Sequence, residues 1–230
     1  MFGDQGCGMS LTRHRQAISA LATTLMLALC LHAARPIAAQ TPLAGSLAGQ
    51  LLVAAPTMGD PRFTRTVILM ARHDKDGAFG IVVNRPIGEQ PLSAILQLLG
   101  DNDPAVPGSV RIFAGGPVHP DAGFVVHSSD YHGPATLDLN EHAAITSSRE
   151  ILRDIGNGKG PSRSLIAFGY SGWGPGQLDG EVERGDWILE PAQLADAFSD
   201  DARGLWSDVL TRKGGSYALL ARMPADPSMN

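Results

Sequence analysis

The sequence predicts a single α+β domain whose strands form a mixed sheet. Short apolar runs, many of them β-branched, are interrupted by segments with helical spacing, without the regular alternation of a parallel α/β protein. The chain has 230 residues, 43% of them hydrophobic and 18% charged. That length and composition suit one globular core and are too small for two comfortable domains.

Residues 1–39 have the order of charge and hydropathy that is typical of a secretory signal peptide. Arg13 and Arg15 precede an apolar run over residues 17–34, and small residues follow. We expect cleavage after Ala39, which predicts a periplasmic or otherwise exported protein. The alternative is a membrane anchor, since the apolar run is near the lower length limit for a spanning helix.

Export would remove both cysteines and leave a more acidic chain. Cys7 and Cys30 lie within residues 1–39, so the mature protein is expected to lack disulfides and cysteine-ligated metal. The same segment contains three arginines and one aspartate, so the net charge would change from −5 to −7. An acidic domain is a poor partner for nucleic acid. Membrane contact is expected only through an uncleaved signal segment.

Seven apolar runs predict the strands of the sheet. They lie at residues 51–55, 66–71, 79–83, 110–114, 124–126, 164–168 and 187–189. The second and third runs are joined by residues 73–77, whose Asp-Gly pair suits a hairpin, and both are apolar enough to be buried on both faces. Pro86 is expected to stop strand pairing. Residues 115–120 and 169–176 are predicted loops.

Helical spacing and capping signals predict four helices. They lie at residues 92–99, 147–155, 177–183 and about 202–212. Ser147 and Glu150 have the spacing of a capping box. The last helix is expected to bury Leu205, Trp206, Val209 and Leu210. The resulting domain covers residues 49–215, between a linker at 40–48 and a mobile tail at 216–230.

Three motifs in fixed order resemble the YqgE/AlgH family. They are Asn84-Arg85-Pro86, Gly115-Gly116-Pro117-Val118, and Gly169-Tyr170-Ser171-Gly172-Trp173 followed by Gly176-Gln177-Leu178. The resemblance covers about residues 48–215 and implies a sheet curled into a pseudo-barrel with flanking helices. It implies no established reaction, although members are often labelled transcriptional regulators. Ser171 stands where alanine is usual, and the signal segment departs from members that look cytoplasmic.

Loop residues of these motifs are the candidate ligand-binding residues. They are Asn84, Arg85, Gly115, Gly116, Pro117, His127, Tyr170, Trp173 and Gln177. Arg85 can present a planar fork to an anion, and consecutive glycines can expose backbone amides to one. Tyr170 and Trp173 offer aromatic faces with polar tips. Each feature also has a structural alternative. The Asn84-Arg85-Pro86 motif can be a strand exit, the consecutive glycines can form a tight turn, and the indole of Trp173 can be buried in the core.

The sequence predicts no cofactor, no metal site and no catalytic residue. The histidines lack metal-ligand spacing, and no nucleophile motif is complete. The leading hypothesis is a non-enzymatic exported module that binds a small ligand or a protein partner. A hydrolase using His127 with Asp60, Asp130 or Glu181 is the second hypothesis. The regulator label of the family is the third.

Overall fold

The computed structural model describes residues 45–101 and 105–222. These residues belong to one compact unit. The predicted signal peptide and its cleavage site lie outside the described residues, as do residues 40–44 of the linker and 223–230 of the tail. Within the described ranges, no helix has the length and apolar character needed to cross a membrane.

Ten strands and six helices make up the described part of the chain. The strands are β1 (Gln50–Ala54), β2 (Val67–Asp74), β3 (Gly77–Val82), β4 (Pro86–Pro91), β5 (Ser109–Ala114), β6 (Val118–Ser128), β7 (Thr136–Asp138), β8 (Ala143–Thr146), β9 (Ser164–Trp173) and β10 (Trp187–Pro191). The helices are α1 (Leu92–Leu98), α2 (Glu150–Gly156), α3 (Gln177–Glu183), α4 (Leu194–Ala197), α5 (Leu205–Lys213) and α6 (Gly215–Ala221). A 3-10 turn covers Pro61–Phe63.

The strands form one mixed sheet that curls into a half-barrel, as predicted. Its main path runs β10-β1-β2-β3-β9-β6-β8-β7, and the β4–β5 pair joins through β5 and β9. The long strand β9 is the centre of this arrangement. Its first half lies between β5, which is parallel, and β6, which is antiparallel, while its second half pairs with β3. Gly169, at a φ of +75°, lies between the two halves.

The largest hydrophobic core includes residues from β1, β2, β3 and α5. Helix α5 buries Leu205, Trp206, Val209 and Leu210, as its spacing predicts. The indole N–H of Trp206 donates to the carbonyl oxygen of Ala54 at 2.7 Å, which ties α5 to β1. The predicted hairpin is also confirmed, since β2 and β3 pair and most of their residues are buried.

Three strand boundaries differ from the prediction. Pro86 begins β4 instead of ending the pairing, because a proline is tolerated at the first position of a strand near an edge. Strand β6 begins at Val118, inside the predicted loop. Strand β9 continues through Gly169 to Trp173, since glycines can pair in a ladder without apolar side chains.

Two helix predictions also need correction. Ser147 and Glu150 form no capping box: α2 begins at Glu150, and its backbone N–H is 3.3 Å from the hydroxyl of Ser148. Helix α6, over Gly215–Ala221, is missing from the helix prediction, and its Ala221 is buried. Strands β7 and β8 and the short helix α4 have no counterpart in the sequence prediction.

Candidate functional site

The two glycine motifs meet where the β5–β6 connection crosses β9. Gly116 has a φ of +151°, and a Cβ atom added there would overlap the backbone of Tyr170. A Cβ atom at Gly115 would overlap the carbonyl oxygen of Gly169, and one at Gly169 would overlap that of Gly116. These glycines therefore allow two backbone segments to touch, which fixes the positions of Pro117 and Tyr170.

Asn84 supports the scaffold near this crossing. The residue is buried, with 5% of its surface exposed, and its Oδ1 accepts from the backbone N–H of Val67 at 2.9 Å. Its Nδ2 donates to the carbonyl oxygen of Arg65 at 2.8 Å. Because Arg65 has a positive φ of 55°, the amide of Asn84 holds an unusual turn in place.

Arg85 turns toward the same loop. Its Nη2 donates to the hydroxyl of Thr66 at 2.6 Å and to the carbonyl oxygen of Thr64 at 3.3 Å. Burial lowers the pKa of Arg85 from its ordinary value. The structure thus directs both side chains of the Asn84-Arg85 motif to residues 64–67.

Three other candidate residues line one cleft, which we call the indole cleft. Its volume is about 340 Å³. Its lining consists of Met58, Gly59, Asp60, Arg62, Phe63, Pro117, Val118, Gly172, Trp173, Gln177, Glu181, Arg184, Asp186 and Trp187. The structure therefore brings Pro117, from the β5–β6 connection, together with Trp173 at the end of β9 and Gln177 at the start of α3.

The carboxylate of Glu181 organises this cleft. Both indole N–H groups, of Trp173 and Trp187, donate to its Oε2 at 2.8 Å. Its Oε1 accepts from Nε2 of Gln177 at 2.9 Å, one turn earlier on α3. The two indole rings lie edge to face with centroids 6.1 Å apart. Helix α3 and strands β9 and β10 thereby hold a carboxylate among neutral N–H donors.

Two arginine–aspartate pairs flank the cleft. Arg62 contacts Asp60 with Nη2 2.7 Å from Oδ2, and this side-chain hydrogen bond lowers the pKa of Asp60. Asp60 also caps the 3-10 turn by accepting from the backbone N–H of Arg62. Arg184 contacts Asp186 at 2.9 Å. Both arginine side chains are largely exposed, at 68% and 58%.

Tyr170 faces a second depression, which we call the Tyr170 groove. It has a volume of about 660 Å³ and is lined by Arg72, Ala78, Phe79, Val118, Phe124, Leu137, Tyr170, Gly172, Trp173 and Gly174. The ring of Tyr170 packs edge to face against Phe79, with centroids 5.0 Å apart. Val118, Gly172 and Trp173 line both depressions, so the groove adjoins the indole cleft.

His127 lies at the opposite end of β9 from the indole cleft. It pairs with Ser164 at the start of β9, nine residues before Trp173, a separation of roughly 30 Å along the strand. Its side chain is buried, with Nδ1 2.8 Å from the carbonyl oxygen of Ser128 and Nε2 2.9 Å from the hydroxyl of Thr146. The carbonyl fixes the N–H on Nδ1, so Thr146 donates to Nε2.

The carboxylates of the hydrolase hypothesis do not converge on this histidine. Asp60 and Glu181 line the indole cleft. Asp130 accepts from the hydroxyl of Ser128 at 2.6 Å. Burial is the main cause that lowers the pKa of His127, with smaller opposing effects from the Ser128 carbonyl and Asp130. The two ring nitrogens of His127 bond to a carbonyl oxygen and a hydroxyl, so neither contacts a carboxylate.

Several lining residues were not selected from the sequence. Glu181, Trp187, Arg62, Arg184 and Asp186 are not among the ligand-binding residues that the sequence predicts, and Glu181 is a catalytic candidate there only as a partner of His127. The four-residue spacing of Gln177 and Glu181 on a predicted helix was the available signal. Among the residues that the structure describes, no group of three or more His, Cys, Asp or Glu side chains is placed to hold a metal ion.

The fold and the crossing glycines define a class: single-domain α+β proteins built on a curled, mixed sheet. The sequence profile of the AlgH-like family matches residues 51–218. A UPF0301 protein of Cereibacter sphaeroides is 43% identical over 171 residues, which is 73% of this chain and 92% of that protein. A UPF0301 protein of Rhodospirillum rubrum is 41% identical over 177 residues, which is 77% of this chain and 92% of that protein. This chain belongs to the AlgH-like family.

Solved structures show the same fold. The solution structure of the AlgH protein from Pseudomonas aeruginosa is 35% identical, covers 81% of this chain and 98% of its own, and superposes with a TM-score of 0.62. The crystal structure of protein DIP2367 from Corynebacterium diphtheriae is 23% identical in sequence and gives a TM-score of 0.60. The match covers 84% of this chain and 100% of that protein. The second likeness concerns the fold alone.

Proposed function

We propose that this AlgH-like chain is an exported, non-enzymatic module that binds a small, positively charged ligand in the indole cleft. The observation that carries the proposal is the carboxylate of Glu181, fixed by two indoles and an amide inside a cleft of about 340 Å³. Clefts that hold small organic ligands have volumes of about 300 to 1,000 Å³.

The charges of the cleft favour a cation. Asp60 and Asp186 are each paired with an arginine, whereas the three hydrogen bonds to Glu181 come from neutral donors. An ionised carboxylate has about four lone-pair sites, so Glu181 can accept a further hydrogen bond from an ammonium group.

The same contacts support binding over catalysis. The hydrogen bond from Arg62 lowers the pKa of Asp60, which keeps this carboxylate ionised at neutral pH. A general acid or base works best with a pKa near the operating pH. A fixed, ionised carboxylate such as that of Asp60 suits the recognition of charge better than the transfer of protons.

The three tryptophans allow a direct test of ligand binding. The N–H signals of Trp173 and Trp187 report on the cleft, and Trp206, bonded to Ala54 in the core, is an internal control. Butylamine and choline should shift the first two signals in an NMR titration and leave the third unchanged, and Glu181→Gln should weaken the effect. The proposal would be contradicted if butyrate shifted the signals of Trp173 and Trp187 as much as the cations do. It would also be contradicted if the cations shifted all three indole signals equally.

Export rests on the signal-like pattern of residues 1–39 and has its own test. The intact mass of the untagged protein from the periplasm of its native host should correspond to a chain that begins at Gln40. A full-length protein in the cytosol would refute export and leave the proposal about the cleft intact.

A further inference from the structure

A separate pocket lies between α1, α2 and the sheet, away from the indole cleft. This α1–α2 pocket has a volume of about 270 Å³ and apolar walls formed by Ile95, Leu99, Val125, Leu152, Ile166 and Phe168. Leu99 and Phe168 are partly exposed, while the other four are buried. The pocket therefore opens to solvent beside an apolar interior.

The remaining lining gives the pocket a polar and positively charged side. Ser147, Ser148 and Arg149 line it just before α2, and Arg149 is its sole ionisable residue among those the structure describes. Nη1 of Arg149 donates to the carbonyl oxygen of Leu99 at 3.2 Å, which holds the exposed guanidinium beside the apolar wall. Thr146 also lines the pocket, with its hydroxyl bonded to His127 and Thr136.

We propose that the α1–α2 pocket binds a single-chain amphiphile with a carboxylate head group. The hydrocarbon chain would lie against Leu152, Ile166 and the other apolar walls, and burial of its methylenes would supply the affinity. The carboxylate would face Arg149 and the serine hydroxyls, which provide charge and hydrogen-bond donors. This assignment is independent of the ligand proposed for the indole cleft.

The volume sets the length of chain that the pocket can hold. The pocket has a volume of about 270 Å³ and is open to solvent on one side, so we choose a probe with a hydrocarbon chain of medium length. Decanoate is therefore the natural probe. Each buried methylene should improve the affinity about fourfold, so hexanoate should bind much more weakly, and dodecanoate should gain little more.

Gly123 offers a way to fill the pocket without straining the fold. It lies on β6 and lines the pocket, and a Cβ atom added there would be in ordinary contact with the ring of Phe168 at 3.4 Å. Its φ is not in the left-handed region. Gly123→Leu should therefore project a side chain into the pocket, while Arg149→Gln removes only the exposed charge.

The test is calorimetric titration of the purified protein with decanoate and with the neutral decanol, each below its micelle-forming or solubility limit. Decanoate should bind at one site and more tightly than the neutral amphiphile. Gly123→Leu should abolish binding with an unchanged melting temperature. Arg149→Gln should weaken decanoate about three- to fivefold and remove the preference for the anion, as expected for an exposed charge.

Three results would overturn the assignment. Absence of decanoate binding would exclude the pocket as an amphiphile site. Equal affinity for the two head groups would show that Arg149 does not select an anion. Binding that survives Gly123→Leu in a folded protein would place the ligand elsewhere.

Discussion

Ser171 brings a hydroxyl into the centre of the sheet. Ser171 is fully buried on β9, where it pairs with Gly80 of β3. Its Oγ has no hydrogen-bond partner among the residues that the structure describes. A buried, unpaired polar group costs about 1–3 kcal/mol. We expect Ser171→Ala to raise the free energy of unfolding by about 1–2 kcal/mol in urea denaturation.

Ser128→Ala is the matched control for this substitution. Ser128 is also buried, but its hydroxyl donates to Asp130 at 2.6 Å and lies 3.0 Å from the hydroxyl of Ser162. The same chemical change should therefore lower the free energy of unfolding, by about 1–3 kcal/mol. A loss of stability in both variants would show that Ser171 has a partner.

His127 should make stability depend on pH. Burial lowers its pKa in the folded protein below the ordinary value of 6.5. Below about pH 6.5 the unfolded chain binds a proton that the folded chain does not, so the free energy of unfolding falls with decreasing pH until the lowered pKa is reached. Urea denaturation between pH 7.5 and 5 should show this decrease.

Two histidine variants test the origin of that decrease. His127→Gln should remove part of the decrease in the free energy of unfolding between pH 7.5 and 5. It should also lower the free energy of unfolding at neutral pH, because the bonds of the imidazole are lost. His132→Gln is the comparison for loss of an exposed imidazole: the side chain of His132 is 66% exposed, so this substitution should change the free energy of unfolding at pH 7.5 by no more than about 0.5 kcal/mol. An unchanged slope in His127→Gln would assign the effect to another group.

At the scale of elements, Glu181 connects α3 to β9 and β10. Its truncation to alanine removes the acceptor for the indoles of Trp173 and Trp187 and for Gln177. We expect Glu181→Ala to lower the free energy of unfolding by about 2–3 kcal/mol and to accelerate exchange of both indole N–H protons. Exchange measured by NMR at several denaturant concentrations checks both effects.

Glu183→Ala, on the same helix, is the control for loss of a carboxylate alone. Glu183 is exposed, so its replacement should change stability by no more than about 0.5 kcal/mol. Equal effects of the two substitutions would mean that the bonds to the indoles contribute little to the position of α3.

The elements that sequence reasoning found are those with a local signal. The hairpin of β2 and β3 and helix α5 have strong apolar patterns, which their own residues determine. The second half of β9 consists of two glycines, two aromatic residues and Ser171, so its sequence resembles a loop. Its strand geometry depends on pairing with the distant β3. Strand β4 is mostly exposed and pairs only with β5, so its pattern is weak.

The candidate site was predicted in part for the same reason. Trp173 and Gln177 lie in one motif, so selecting that motif captured two residues of the cleft. The contributions of Asp60 and Trp187 depend on how distant segments fold together, which no local spacing reveals. His127 was selected for its chemistry, and its distance from Trp173 follows from the antiparallel register of β6 and β9.

At the scale of the whole molecule, the crossing of the β5–β6 connection over β9 joins the two parts of the curled sheet. β9 pairs with β3 on one side of the crossing and with β5 and β6 on the other. Backbone contact at Gly116 therefore couples the first hairpin to the rest of the sheet. A separation there would disturb the indole cleft and the Tyr170 groove together, because both include Val118 and Gly172.

Gly116→Ala tests whether this crossing holds the fold together. An added methyl group would overlap the backbone of Tyr170 at a φ that side chains disfavour, so we expect a loss of about 3 kcal/mol or more in urea denaturation. Gly88→Ala is the control, because a Cβ atom at Gly88 would meet open space, and its effect should stay within about 0.5 kcal/mol. If Gly116→Ala were equally mild, the two segments could move apart without loss, and the crossing would not determine how the sheet curls.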